Sequence, residues 1–296
     1  MEISAAQVKD LREKTGLGMM ICKQALQNTN GDMAAAMENL RKQGQLTAAK
    51  RAGKVAKEGL VSMVSDASTV ILYEVNSETD FVARNDDFVA FVDILGKLLI
   101  AKKVSTIEEA KTLSAPELGG TVESRITELI GKIGENIGFR RYRKIDFDPS
   151  KECIATYIHG KNKICVVVRL SVDQDAARSG SAVAQLGKDL AMQVCASNPM
   201  APNRESIPAA TIAKEREIYL TQVQSSGKPE KIWEKIVEGK LVKFYQEVVL
   251  TEQPYIKDPA IPVSDRITQT EKETGAKIGV VSFVRLELGA EEEKAA

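Results

Sequence analysis

The sequence predicts an α+β protein in which a small helical module precedes a duplicated α+β core with an inserted helical hairpin. Three observations indicate this. Apolar residues recur at helical spacing through about the first 45 residues, and short β-branched runs followed by a helical stripe then occur twice, about 93 residues apart. Two Lys- and Glu-rich helical stretches interrupt the second copy. At 296 residues, the chain is long enough for about two domains of ordinary size.

The amino-terminal module is predicted to contain three short helices. Ser4 and Gln7 have the spacing of a capping box, which begins the first helix. A second helix is expected over residues 19–27, and a third should begin after Asp32 and end near Gly44. Residues 1–57 carry ten Lys or Arg against five acids. A solvated charged face explains this excess, with direct nucleic-acid contact as the alternative.

The core is predicted as two copies of a strand, strand, helix unit. In each copy two β-branched runs flank a polar turn, which is typical of a hairpin, and apolar residues then return at helical spacing. The first copy has strands over residues 60–64 and 70–75 and a helical stripe from Phe88 to Leu99; the second has strands over 153–158 and 164–170 and a stripe from Val183 to Val194.

Residues 209–226 and 230–251 are predicted to form two helices joined by a turn at Gly227-Lys228-Pro229, and therefore an antiparallel hairpin. Each arm would be roughly 25 to 30 Å long, too long to be covered by a small sheet, so the hairpin should project. After it, Ser264 is expected to cap a short helix that ends at Gly275, and alternating apolar residues from 278 to 288 predict a closing strand.

These elements suggest five segments. They are a helical domain over 1–55, an amino-terminal core half over 56–139, a carboxy-terminal core half over 140–207 and 252–290, an inserted hairpin over 208–251, and a disordered acidic tail over 291–296.

Composition and spacing disfavour several functional classes. The 41 basic residues balance 41 acidic ones, so net charge gives no argument for a nucleic acid as the primary ligand. No apolar run is long enough to span a membrane and no export signal is visible, so we expect a cytoplasmic protein. The four cysteines form no C-x-x-C pair, His159 is the only histidine, and no phosphate-binding loop is present. The sequence therefore favours a binding protein over an enzyme. It contains no arrangement of residues that is typical of a metal site, a cofactor site or a catalytic site.

Several stretches resemble the elongation factor Ts family, and the resemblance covers nearly the whole chain. They are LREKTGLGMMICKQAL at 11–26, KRAGKVAKEGLV at 50–61, EVNSETDFVARNDDF at 74–88, KIGENI at 132–137, YIHG at 157–160, ASNP at 196–199, and GKPEKIWEKIVEGKLVKFYQEVVLTEQPYIKD at 227–258. The T-D-F-V-A-R-N run is the most specific of them. The resemblance implies a ubiquitin-associated-like (UBA-like) helical domain, a two-part core and a coiled-coil hairpin.

It also implies a function, which is guanine-nucleotide exchange on the translational GTPase elongation factor Tu. Asp80 and Phe81, flanked by Thr79 and Val82, would enter the GTPase beside its nucleotide and magnesium site, promote GDP release and be displaced when GTP rebinds. From the residues alone, composition favours Phe81 as a core aromatic that begins the helix and Asp80 as a helix cap. An exposed aromatic among polar residues is also typical of an interface hot spot.

The resemblance implies secondary contacts as well. Met19 and Met20 begin the second helix, where consecutive residues point in different directions, so at most one can be fully buried and the other is available to a partner. A contact is also implied for His159, which is expected at an exposed hairpin turn. A further contact is implied for the segment after residue 132. The alternative for that segment is a turn that only ends a helix. That segment comprises Ile133, Gly134, Glu135 and Asn136.

Two departures from the family pattern are visible. Gln193 replaces a histidine found in many members, so a role for that imidazole cannot be transferred. Only eight residues follow Leu288, too few for the additional carboxy-terminal helix of some members. The expected partner is elongation factor Tu, with a dimer or a 2:2 complex as possible assemblies. The alternatives are an interaction adaptor that uses the UBA-like domain and a metabolic enzyme with a site between the core halves.

Overall fold

The computed structural model describes residues 3–291, which divide into two compact units. The first contains residues 3–145 and 288–290, and the second contains residues 146–287 and 291. Both combine helices with antiparallel strand pairs, so the predicted α+β class is confirmed. Part of the expected tail, residues 292–296, lies outside the described residues.

Three helices begin the first unit. They are α1 (Ala5–Thr15), α2 (Met19–Asn28) and α3 (Met33–Arg51). The capping box is formed, because the Ser4 side chain accepts from the backbone of Gln7 and the Gln7 side chain accepts from the backbone of Ser4. Asp32 caps α3 through the backbone N–H of Ala35. The three helices enclose a small core of Val8, Leu11, Cys22, Ala25, Leu26, Ala36 and Leu40.

The expected end of the third helix near Gly44 is wrong, since α3 continues to Arg51. The reason is tertiary. Gly44 lies where α3 packs against a later helix, and a Cβ atom placed on Gly131 of that helix would lie 2.9 Å from the Cα atom of Gly44. Glycine is therefore used here for close helix approach, whereas its low helix propensity had suggested a helix end.

The remainder of the first unit is a three-stranded sheet with helices on it. Its elements are β1 (Glu58–Ser65), β2 (Thr69–Ser77), α4 (Asp86–Lys102), α5 (Ile107–Thr112), β3 (Ser114–Ala115), β4 (Gly120–Thr121), α6 (Val122–Ile133) and β5 (Gly138–Asp146). The sheet order is β1-β2-β5, and α4 packs on β1 and β2. The expected segment boundary after residue 139 falls inside β5, which belongs to this sheet.

The second unit repeats this arrangement. Its elements are β6 (Glu152–His159), β7 (Ile164–Val172), α7 (Asp175–Arg178), α8 (Ser181–Ser197), α9 (Ala209–Gln224), α10 (Trp233–Val248), β8 (Pro254–Tyr255), β9 (Asp258–Pro262), α11 (Val263–Thr274) and β10 (Ile278–Glu287). The sheet order is β10-β7-β6, and α8 packs on β6 and β7. Pro262 rather than Ser264 precedes α11, so the expected cap is wrong by two residues, whereas the helix end at Gly275 is confirmed.

The helices α9 and α10 pair with each other as predicted, although α10 ends at Val248 and a short 3-10 turn follows it. Arg216 on α9 contacts Glu234 and Glu238 on α10, and Lys240 donates to Gln222 at 2.8 Å. These side-chain contacts join the two helices of the hairpin. Among the described residues, no helix is both long enough and apolar enough to span a membrane.

Candidate functional site

The connection between β2 and α4 carries the residues that the T-D-F-V run singled out. Phe81 is exposed over 77% of its surface. The next two residues, Val82 and Ala83, are buried and begin a single 3-10 turn, after which Asn85 caps α4 by accepting from the backbone N–H groups of residues 87 and 88. An aromatic side chain is thus held outward by a short connection whose following residues are anchored in the core.

Val82 does not share the exposure of its neighbour. It packs in the core of the first unit, so its side chain is not presented at the surface. A buried residue next to an exposed one is the ordinary result of helical geometry, because consecutive side chains point in different directions. Val82 anchors the turn that presents Phe81.

Asp80 is half-exposed and forms an ion pair with Arg84, whose Nη2 atom lies 2.8 Å from Asp80 Oδ2. It does not cap α4, a role that Asn85 takes. The pair engages the Oδ2 atom of Asp80, and within residues 3–291 the other carboxylate oxygen accepts no hydrogen bond from a protein donor.

Thr79 links the connection to a segment far away in sequence. Its backbone N–H donates to Glu135 Oε2 at 2.9 Å and its hydroxyl donates to Glu135 Oε1 at 2.7 Å. Glu78 makes the reverse link, accepting from the backbone N–H of Asn136 at 2.7 Å. The two segments that the resemblance picked out separately therefore form one surface, which sequence spacing could not reveal.

The segment after α6 is both a helix-ending turn and part of this surface. Gly134 ends α6 in the left-handed conformation, with φ of +83°, as glycine does at helix ends. Ile133 packs against the core of the first unit. The side-chain amide of Asn136 donates to the carbonyl of Lys54 at 2.7 Å, so the turn also contacts the chain just after α3.

A second exposed patch lies at the start of α2. Met19 is 49% exposed and Met20 is 75% exposed, while Cys22 on the opposite face is buried in the helical core. Neither methionine is buried, consistent with the expectation that at most one could be. Exposed methionines adapt well to partner surfaces because the side chain is flexible and polarisable.

His159 lies in the second unit, at the end of β6, and is exposed as expected. The next three residues, 160–162, all have positive φ and turn the chain into β7. The His159 ring lies 5.9 Å from that of Tyr157, and its Nδ1 atom is 3.1 Å from the Tyr157 hydroxyl. The aromatic contact fixes the imidazole on the strand end.

The family comparisons are consistent over nearly the whole chain. The family model described as Elongation factor TS matches residues 78–290. Elongation factor Ts of Prosthecochloris aestuarii is 44% identical over 98% of this chain and 99% of its own length. The Syntrophotalea carbinolica protein is 42% identical over 99% of this chain and 95% of its own, and that of Clostridium acetobutylicum is 42% identical over 99% and 94%. The chain belongs to the elongation factor Ts family. Its role is accordingly that of a translation elongation factor.

The departure from the elongation factor Ts pattern at position 193 has a structural explanation in this chain. Gln193 is buried in α8, where its amide donates to Gln253 at 3.1 Å and accepts from the backbone N–H of Ile256 at 2.7 Å. Both ends of the amide are therefore used within the second unit. Gln193 connects α8 to the segment that follows the inserted hairpin.

Sequence reasoning missed Glu78 and Arg51. Glu78 accepts from Asn136, and its carboxylate lies 3.4 Å from the guanidinium of Arg51 at the end of α3. A glutamate just after a strand carries no distinguishing signal, and its partners are 27 and 58 residues away.

Within residues 3–291, no group of three or more His, Cys, Asp or Glu side chains could hold a metal ion. The four cysteines are free thiols, and burial raises the pKa of Cys165 to about 12.

Proposed function

We propose that this chain is a guanine-nucleotide exchange factor for elongation factor Tu. In this mechanism the Asp80-Phe81 tip enters the GTPase near its nucleotide and magnesium site and promotes release of GDP. The observation that carries the proposal is the outward, anchored placement of Phe81. A rigid exposed aromatic is the residue type that most often dominates binding energy at protein interfaces, because it fills a pocket at little entropic cost.

The chemistry of the tip fits this role. Bound GDP is held in GTPases by phosphate and magnesium contacts, and the switch segments depend on those contacts. A carboxylate brought close to phosphate oxygens repels them, and carboxylate oxygens compete for magnesium. The free oxygen of Asp80 and the ring of Phe81 would therefore act together, one electrostatically and one sterically.

Displacement by GTP follows from linkage. If the factor weakens GDP binding to the GTPase, nucleotide binding weakens the factor by the same ratio, because the coupling free energy is reciprocal. Rebinding of GTP would then expel the factor. The chain would accelerate the approach to equilibrium without changing the final ratio of GDP to GTP complexes and without breaking a covalent bond. No cofactor is needed for this.

Further contacts to the GTPase are proposed for Met19 and Met20, for Ile133, Gly134 and Asn136, and for His159; both carboxylate oxygens of Glu135, in the same segment, are engaged by Thr79. Met20 is the most exposed of these apolar side chains. Replacing both methionines with serine should weaken association without unfolding the module, since neither side chain is buried. Unchanged affinity would show that these two side chains do not contribute to binding the GTPase.

The principal test is stopped-flow release of fluorescent GDP from purified elongation factor Tu of the same source. The wild-type chain should accelerate release, and Phe81→Ala should lower that acceleration at least about tenfold, the factor that corresponds to about 1.4 kcal/mol. Met200→Ala removes another exposed apolar side chain and is the matched control, with no expected effect. Equal acceleration by wild type and Phe81→Ala would rule out the wedge, and no acceleration by either would favour the adaptor.

A further inference from the structure

Two carboxylates join the connection that bears Phe81 to the turn after α6. Glu78 accepts from the backbone N–H of Asn136, and Glu135 accepts from both the backbone N–H and the hydroxyl of Thr79. The distances are between 2.7 and 2.9 Å, the range of strong charge-assisted hydrogen bonds. Two of these three bonds use backbone N–H groups that would otherwise need water or another acceptor.

The second unit shows which of these bonds the fold itself requires. Asp173 follows β7 as Glu78 follows β2, and it accepts from the backbone N–H of Lys277 at 2.8 Å. Lys277 is the second residue after the glycine that ends α11, as Asn136 is the second after the glycine that ends α6. A carboxylate at this place, bonded to the turn, is therefore common to both halves.

The bond between Glu135 and Thr79 has no such counterpart. Ala276 occupies the place of Glu135 and has no side-chain acceptor, and Gln174, in the place of Thr79, donates instead to the carbonyl of Gly275 at 2.7 Å. The residue in the place of Phe81 is Ala176. The additional carboxylate clamp thus occurs in the half whose connection presents an aromatic side chain.

We propose that Glu135 is a positioning residue for nucleotide exchange. By holding Thr79, it fixes the backbone that carries Phe81 in its outward conformation before the GTPase binds. The connection is then ordered when the chain folds, so less conformational entropy is lost when the GTPase binds. This inference rests on the proposed exchange function and differs from a direct contact of Glu135 with the GTPase, because both carboxylate oxygens are already engaged within the chain.

The test is a double-mutant cycle on GDP release with Glu135→Ala and Phe81→Ala. Glu135→Ala should lower the exchange efficiency about tenfold, which corresponds to the loss of order at about one backbone residue. In the Phe81→Ala background, the same change should have little further effect, since no side chain remains to be positioned. Independent, multiplying effects would show that Glu135 contacts the GTPase itself and would overturn the proposal.

Four further variants keep the test decisive. Asp173→Ala breaks the bond of the second unit that corresponds to the bond between Glu78 and Asn136, so it should lower the melting temperature without changing exchange. A loss of exchange equal to that of Glu135→Ala would mean that Glu135 is only structural. Thr79→Val removes the hydroxyl bond and leaves the backbone bond, so it should show part of the Glu135→Ala defect, whereas Thr79→Ser keeps the hydroxyl and should retain activity. An equal defect in the valine and serine variants would count against the proposal. If Glu135→Ala does not fold, Glu135→Gln replaces it, because one amide oxygen still accepts. Normal exchange by the Phe81→Ala variant alone would instead contradict the proposed role of Phe81 in nucleotide exchange, on which this inference rests.

Discussion

The two α+β halves share one plan but differ at the connection between the hairpin and the first helix. In each half, residues 78–85 or 173–180 lead from the second strand into a 17-residue helix, a later 12-residue helix ends at a left-handed glycine, and a closing strand pairs beside the second strand. Only the first connection exposes an aromatic residue, Phe81.

The second connection presents no aromatic side chain. It forms the short helix α7, buries Ala177, and Arg178 donates to the carbonyl of Val172 at 3.1 Å. The same fold therefore accepts either an exposed aromatic residue or a short helix without one at this place. A few positions on one copy can carry the binding function, while the shared hairpin and helices supply the support.

The largest expected effects come from the helix residues that the two halves share. Leu95 of α4 and Leu190 of α8 are both fully buried and stand at the same distance from their helix starts. Replacing either with alanine should lower the free energy of unfolding by about 2 to 5 kcal/mol, because each change leaves a cavity. Chemical unfolding followed by circular dichroism measures this, and a loss confined to one half would show that the cores are not equivalent.

A polar contact distinguishes the second core. Asp189 of α8 is buried where α4 has Ile94, and it accepts from the hydroxyl of Tyr255 at 2.6 Å. Tyr255→Phe should lower the free energy of unfolding by about 1 to 3 kcal/mol, because the buried carboxylate loses a donor. Ile94→Val, at the corresponding position of the first half, is the control. If Tyr255→Phe lowers the free energy of unfolding by no more than Ile94→Val does, the Tyr255 hydroxyl contributes little.

The same hydroxyl gives the stability a dependence on alkaline pH. Burial and the neighbouring Asp189 raise the pKa of Tyr255 to about 12. In the unfolded chain the phenol ionises near its ordinary pKa of 10.0, so the unfolded state loses its proton first and stability falls between pH 10 and 12. Thermal melts across this range should show that Tyr255→Phe loses less stability than wild type; parallel curves would contradict the assignment.

Exchanging the connection residues tests the comparison directly. Ala176→Phe places an aromatic in the second connection, and it should not restore GDP release when combined with Phe81→Ala, whose loss is at least about tenfold. The reason is that Ala276 provides no carboxylate to hold the second connection as Glu135 holds the first. Stopped-flow release measures the outcome, and recovery by the double variant would show that an aromatic alone is sufficient.

The smallest effects on the free energy of unfolding are expected for Arg84 of the first connection and Arg178 of the second. Arg84 pairs with Asp80 on an exposed surface, so Arg84→Ala should change the free energy of unfolding by less than about 0.5 kcal/mol. Arg178 has a largely buried side chain that also donates to a backbone carbonyl, so Arg178→Ala should cost more, about 1 kcal/mol. Equal losses in chemical unfolding would contradict this difference in burial.

Much of the fold was predictable because its signals are local. The capping box at Ser4 and Gln7, the polar turn after β1 and the glycine that ends α11 depend on residues within a few positions of each other. The alternation of β-branched runs with helical stripes likewise reflects which face of each element is buried. These features follow from backbone geometry and hydrogen bonding over one or two turns of chain.

The sequence by itself determined the three amino-terminal helices, the repeated hairpin and helix, and the inserted pair of helices. Only the tertiary structure decided that α3 passes through Gly44, that Val82 is buried while Phe81 is exposed, and that Glu135 holds Thr79. The physical reason is distance along the chain. The Thr79 and Glu135 bond joins residues 56 positions apart, and such contacts form only once the sheet and helices have packed, so no local pattern encodes them.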